Sequence, residues 1–399
     1  MDFVYPPQAD TYRTKVRAFL DANLPKDWKG IGALNHKDAA AWTEDWREKL
    51  AKNDFLATTW PKEYGGAGLT AIESLVIAEE FALSGVPGGG PNDGFGIGML
   101  GNTILAVGTE EQKKHFLPRV LSGEDRWCQG YSEPSAGSDL GNLGCRAVLD
   151  GDEWVINGQK IWTSAGHLAN HIFVLARTSP DDVKHRGITF LLVDMRQKGV
   201  EVRPIKMMSG DSEFNEVFFT DARCPKENVV GEINGGWMVA MTLLGNERGA
   251  GAVVSGISFR GELDKLTRLA TDKGLTKNPH IRQRLAQAHI KVEIMRFLGY
   301  RALTAFLNGN QPGPEASIGK LWWSEYHKEA TELAVDILGA DALVPVGQTP
   351  HTAFTTDSVG SPNDSANWVG VFLNARAGTI YAGTSQVQRG IVGEQVLGL

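Results

Sequence analysis

The sequence predicts a mainly α protein with a central β domain, and three observations carry this reading. Apolar residues recur at three-to-four spacing through the first part of the chain. From Trp127 the period changes to two and holds to about Gly235. Helical spacing then returns in longer runs toward Leu399. The expected domains are therefore 1–122, helical; 123–235, β; and 236–399, helical. At 399 residues the chain exceeds one comfortable core, which agrees with several domains.

The first helices follow from their stripes. "TYRTKVRAFLDANL" places Val16, Phe19, Leu20 and Leu24 on one face, and "AIESLVIAEEFAL" does so with Ile72, Leu75, Ala78 and Phe81. "GTEEQKKHFLPRVLSG" predicts a helix capped by Thr109, with Glu111 close behind. The Gly-rich patch "SGVPGGGPNDGFGIG" reads as a loop, either bent around a ligand or a plain linker.

In the β part, Asp150-Gly151 and Asn157-Gly158 read as tight turns between apolar strands. "HIFVLART", "GITFLLVDM", "GVEVRPIKM" and "EVFFTDARCP" follow as further strands of an antiparallel module. Beyond "GEINGGW", one helix carries Leu285, Ala288, Val292, Met295 and Leu298. A second carries Leu321, Trp322, Tyr326, Ala330, Leu333 and Ile337, and two such helices predict a bundle. The polar, Gly/Pro-punctuated stretch from Ala340 to Val371 reads as a loop or insertion.

The totals exclude several classes. A net charge of −7 with no basic stripe argues against nucleic acid and anionic membrane surfaces as partners. No apolar run approaches the ~18 residues of a membrane span. The start, "MDFVYPPQADTYRTKVRAFL", lacks the apolar segment of a signal peptide, so a cytoplasmic location is expected. Cys128, Cys145 and Cys224 are odd in number and widely spaced, which suits a reducing compartment. No histidine stands at ligand spacing to a cysteine or acid cluster, so no metal site is expected.

Four stretches could carry chemistry. "QGYSEPSAGSDL" (129–140) gathers glycines and serines that can converge on a polar ligand. "KIWTSAG" (160–166) sets an aromatic face beside two hydroxyls, or buries a strand-edge Trp. "IYAGTSQVQRGIVGEQVLGL" closes the chain. "GNERGAG" places Glu247 and Arg248 among small residues, where an ionised carboxylate is costly unless paired. Glu247 is then either half of an ion pair or cap, or a base held for proton transfer. Neighbours on a helix point in different directions, which weakens the ion-pair reading.

Taken in order, "GTEEQKKHFLPR", "YSEPSAGSDL", "GQKIWTS" and "IYAGTSQVQRGI" resemble the acyl-CoA dehydrogenase family of flavoproteins over nearly the whole chain. The resemblance implies an N-terminal helical domain, a middle β-barrel-like domain and a C-terminal four-helix bundle. It implies FAD as cofactor and α,β-dehydrogenation of an acyl-CoA thioester. Trp162 would pack on the flavin ring, with Thr163 and Ser164 beside it. Gln129, Tyr131 and Ser132 would line the flavin's pyrimidine end. Thr384 and Gln386 would touch FAD across a subunit boundary. Ser138 would approach the CoA portion of the substrate. Many family members place the base directly after the tyrosine of the final motif, where this chain has Ala382. Other branches place it before an arginine at the start of the C-terminal domain, which matches Glu247, with Arg248 a CoA-side or supporting contact. The backbone N–H of Ala382, next to Gly383, would still stabilise the thioester oxygen.

Two second-subunit FAD motifs of the family are altered. "RLATDKGLTKNPHIRQRL" lacks the Arg-x-Phe-Gly form. "VDILGADAL" keeps Gly339 but has Asp336 at the glutamine position and Ala340 at the second glycine. The expected assembly is a homodimer or homotetramer, or a heterotetramer with a related chain. The expected electron acceptor is an electron-transferring flavoprotein. Alternatives on the same fold are an oxidase using dioxygen and a structural subunit of a heteromeric dehydrogenase. Small residues after Glu247 leave room for a bulky acyl chain or simply pack helices closely.

Overall fold

The computed structural model describes residues 5–180, 184–246, 251–308, 313–314, 316–351 and 359–399. Glu247 and Arg248 lie outside the described residues. The helices are α1 (Pro7–Asn23), α2 (His36–Lys52), α3 (Ala71–Ser84), α4 (Asn102–Val107) and α5 (Glu110–Ser122). The strands follow: β1 (Trp127–Gly130), β2 (Arg146–Asp150), β3 (Glu153–Ser164), β4 (His171–Arg177), β5 (Ile188–Asp194), β6 (Val200–Pro204), β7 (Phe214–Pro225) and β8 (Val229–Val230). The C-terminal helices are α6 (Gly236–Asn246), α7 (Gly251–Asp272), α8 (Pro279–Leu307), α9 (Ala316–Leu338), α10 (Ser365–Ala375) and α11 (Ser385–Ile391). None of the described helices is long and apolar enough to cross a membrane.

Backbone contacts divide the chain into two compact units. One draws on Trp46–Gly68 and Gly89–Glu247. Its sheet runs β6-β7-β3-β2-β4-β5-β8, and β1 joins at β4. The expected antiparallel module is corrected here: β1 and β2 both meet β4 in parallel. β1 and β4 are linked by a long connection containing the β2–β3 hairpin, which frees them to run the same way. Strand β4 is buried on both faces. Phe173 and Leu175 join a core with Trp60, Leu117, Trp127 and Leu243. Ile172, Val174 and Ala176 join a second core with Trp154, Ile156, Val217 and Phe219. All three cysteines are free and buried in that second core. Burial pushes the Cys145 thiol up to about 11 and Cys224 to about 12, so neither is a ready nucleophile.

Three local readings change within this unit. Asp150-Gly151 does make the β2–β3 turn, with Gly151 at φ 64°. Asn157-Gly158 does not turn; it lies inside β3 at a bulge. Gly158 takes φ 146°, and a Cβ there would fall 2.7 Å from the Cys145 Cα, so only glycine lets β2 come so close. The Asn157 side chain instead bonds Asp221 on β7, which holds the bulge. Thr109 caps α5 as expected, but its partner in the capping box is Gln112, not Glu111, because the third helical position is the one that reaches back. The second half of the Gly-rich patch is helical, not loop: Gly94–Gly101 forms a wide π-type turn leading into α4. Gly96 to Gly101 spells G-x-G-x-x-G, but no strand precedes it among the described residues. Gly101 serves packing, since a Cβ there would collide with the Trp60 ring.

The other unit draws on Met1–Asp45, Leu69–Gly88 and Arg248–Leu399. Helices α7, α8, α9 and α10 share a core of Leu266, Val292, Met295, Tyr326, Leu333 and Trp368. Arg13 on α1 bonds both Glu79 and Glu80 on α3, and Arg17 bonds Glu80. Thr70 and Glu73 cap α3 reciprocally, and Gly85 ends it in the left-handed conformation. The predicted loop from Ala340 to Val371 is shorter than expected. Asp364 accepts from Asn367 N and starts α10 at Ser365.

Candidate active site

Near the end of β1, Gln129 stands opposite Phe173 of β4. The chain then turns, and Ser132 O accepts from Ile161 N at 2.9 Å, which lays this turn against β3. Beneath it sits a buried ion pair. Lys160 Nζ donates to Glu133 Oε1 at 2.7 Å and to Tyr131 O at 3.2 Å. Glu133 also accepts from Gly144 N and Cys145 N, at 2.7 and 2.9 Å. The Lys160 side chain is 0% exposed. A charge at that depth persists only when paired and hydrogen-bonded on its remaining sites, which these contacts supply.

The sheet then re-aims one residue. Lys160 faces Val217 and Thr163 faces Asn215, so β3 carries one residue more than β7. Trp162 sits in this bulge at φ 61° and is 56% exposed, its ring edge-on to Phe214 at 5.9 Å. The neighbouring Ala165 is also left-handed. Asn215 Nδ2 donates to Thr163 O at 2.9 Å and pins the strand after the bulge.

Gln129, Tyr131, Ser132, Trp162, Thr163 and Ser164 thus gather where β1 and β3 end. Tyr131 is buried, with Phe173 and Phe190 edge-on to its ring. Ser132 and Ser164 are half-buried. Gln129 Nε2 and Thr163 Oγ1 are buried without a partner among the described residues. Leaving such atoms unpaired costs about 1–3 kcal/mol each, which a bound polar ring would offset. An exposed indole, an amide and a hydroxyl are a donor and acceptor set that fits a planar isoalloxazine. Ser138 lies apart, exposed on the loop that follows.

Ala382, Gly383, Thr384, Gln386 and Gly339 belong to the other unit. Ala382 and Gly383 are consecutively left-handed, at φ 49° and 84°. Thr384 caps α11 through Val387 N, and Gln386 is exposed on its first turn. Lys320 on α9 donates to Gly378 O at 2.9 Å and Gly383 O at 2.7 Å. Gln388 Nε2 donates to Ala382 O at 2.9 Å. Gly339 follows α9 at φ 58°, and Asp336, one turn earlier, pairs with Arg284. Reading the sequence alone missed Lys160, Glu133, Lys320 and Gln388 as supports. The signal for Lys160 was there: it falls on the inward face of β3, where a lysine must find a partner.

Comparison with known proteins decides the family. Family models described as Acyl-CoA dehydrogenase, N-terminal domain, middle domain and C-terminal domain match residues 6–124, 128–222 and 234–397. The chain belongs to the acyl-CoA dehydrogenase family. It is 38% identical to "Acyl-CoA dehydrogenase IpdE1" of Mycobacterium tuberculosis over 401 residues, covering 98% of this chain and 97% of that one. A solved structure, "Tcur3481-Tcur3483 steroid ACAD", matches with TM-score 0.80 and 32% identity over 100% of this chain and 99% of the other. The ChsE4-ChsE5 complex from Mycobacterium tuberculosis matches with TM-score 0.77 and 32% identity over the same shares. Like other acyl-CoA dehydrogenases, this protein is an FAD-dependent oxidoreductase.

Proposed function

We propose that this acyl-CoA dehydrogenase converts an acyl-CoA thioester to the trans-2-enoyl-CoA, with Glu247 as the base that takes the α-proton. The observation that carries the flavin side is the pairing of a bulge-exposed Trp162 with the partnerless buried atoms of Gln129 and Thr163. Trp162, Thr163 and Ser164 would hold the ring system, with Gln129, Tyr131 and Ser132 at its polar end. Bound FAD supplies the acceptor for the β-hydrogen, which leaves as hydride. Glu247 would remove the α-proton, a role that requires reach to that carbon and a carboxyl held near the working pH range. Ala382 N–H, beside Gly383, would stabilise the thioester oxygen as enolate character develops. Neither Ala382 N nor Gly383 N donates to another group among the described residues, so both donors stay available.

Ser138 and Arg248 are assigned to the CoA side. Thr384, Gln386 and Gly339 are assigned to FAD across a subunit boundary. We keep 1–122, 123–235 and 236–399 as the functional division. The Asp336–Arg284 pair occupies the position where the family carries an FAD-contacting glutamine, which favours a related second chain over a like one. The complex named in one solved relative supports the same choice. The steroid named in another supports a bulky, ring-bearing acyl group. An electron-transferring flavoprotein is the proposed acceptor. The test is Glu247→Gln. It should keep bound FAD and lose turnover of every thioester in a panel that includes ring-bearing acyl groups; normal flavin bleaching by this variant would sink the assignment.

A further inference from the structure

We propose that Lys320 is a positioning residue for the thioester carbonyl: by gripping two backbone oxygens on either side of Ala382, it sets the turn that presents the Ala382 N–H. The idea rests on the reading of Ala382 as the oxygen-stabilising donor. It adds a residue on a different helix that no sequence motif singled out.

The geometry is specific. The Lys320 ammonium reaches Gly378 O, four residues before Ala382, and Gly383 O, one residue after it. Its charge also lies 5.9 Å from the centre of the Tyr381 ring. Lys320 forms no ion pair among the described residues, although it is half-buried at the start of α9. A half-buried lysine without a carboxylate is unusual for a residue that merely decorates a surface. Carbonyl oxygens are what it has instead, and two of its three donors are committed to one short segment.

That segment needs holding. Ala382 is left-handed without being glycine, a conformation that persists only when the surroundings impose it. Lys320 fixes both flanks, Gln388 fixes the Ala382 carbonyl, and Tyr381 N bonds Ala377 O at 3.0 Å. The Thr384 cap then starts α11 directly behind. The carbonyls of Gly378, Ala382 and Gly383 are thereby held, while the Ala382 and Gly383 N–H groups have no partner among the described residues. A donor aimed at developing negative charge works only when its direction is set beforehand. Lys320 is the side chain that spans the whole segment, so its loss should mis-aim the donor while leaving substrate contacts elsewhere intact.

The experiment uses the full-length, FAD-loaded protein and the panel thioester that wild type turns over fastest. Lys320→Met keeps the apolar stem and removes the grip. It should keep wild-type FAD content and leave KM within about twofold, while kcat falls on the order of tenfold to a hundredfold. Amide exchange over 378–388 should quicken. Lys320→Arg should recover most of kcat. Lys320→Gln, with fewer donors, should fall between and serves if the Met variant folds poorly. Unchanged kcat in Lys320→Met or Lys320→Gln would overturn the proposal. So would a joint loss of FAD and kcat that Arg does not rescue, which would mark a structural role. Glu247→Gln is measured alongside. If it stays active, the reading of the reaction fails; if it is dead while Lys320→Met is normal, only the role of Lys320 fails.

Discussion

Lys160 and Lys320 each hold a loop that carries proposed site residues, one sealed inside the sheet and the other half in water. Lys160 pairs with Glu133, and the carboxylate in turn gathers Gly144 N and Cys145 N. The turn that carries Tyr131 and Ser132 is therefore part of the core of its unit. Lys320 holds backbone carbonyls only, at the edge of a helical bundle. The first arrangement resists change because breaking it strands a buried charge. The second can be altered without unfolding anything, because water replaces what is lost. The turn proposed to line the flavin is thus built into the sheet, and the turn proposed to present the Ala382 N–H is held by adjustable side chains.

The largest expected effect tests the sealed region. Lys160→Met leaves Glu133 charged and uncompensated, and should cost about 3–5 kcal/mol in denaturant unfolding. A cost near zero would erase the contrast with Lys320. Next comes the bulge in the same sheet. Gly158→Ala forces a side chain into φ 146° and against Cys145, and should cost about 1–3 kcal/mol by the same measurement. Behind the segment that Lys320 holds, Thr384→Ala removes the cap of α11 and should cost about 1 kcal/mol or less globally, read as faster amide exchange confined to 385–391.

The smallest effect concerns pH. Burial lowers the Lys320 pKa to about 8, with Glu325 acting in the opposite sense. Between about 8 and the ordinary 10.5, the unfolded chain holds a proton here that the folded one has released. Stability contributed by this group therefore rises with pH across that window. Comparing the pH dependence of unfolding in wild type and Lys320→Met should show a slightly steeper rise in wild type there. His171 behaves in the same direction at lower pH. Burial lowers its pKa from the ordinary 6.5 despite nearby Asp125 and Asp194, so stability falls as pH drops below that value.

Some of this was legible in the residues. The motif around Trp162, Thr163 and Ser164 could be picked out because aromatic and hydroxyl side chains stand together. The helical stripes through Val292 and Leu333 fall in the bundle core. What escaped was the partner of each polar residue. Asn157-Gly158 carries the same letters as a turn, but the glycine answers to Cys145, the residue just before β2. Thr109 announced a cap, while the choice of Gln112 over Glu111 depended on helical geometry. Glu247 and Arg248 were singled out by sequence and lie outside the described residues.

The order of helix, strand and helix follows from apolar periodicity, because each residue's burial depends mainly on neighbours a few positions away. The family, too, is written in contiguous motifs. The exposure of Trp162, the pairing of Lys160 with Glu133 and the grip of Lys320 on Gly378 and Gly383 were decided only by tertiary structure. Each depends on atoms brought together from distant parts of the chain, where a bulge or a left-handed residue shifts direction by more than any local pattern encodes.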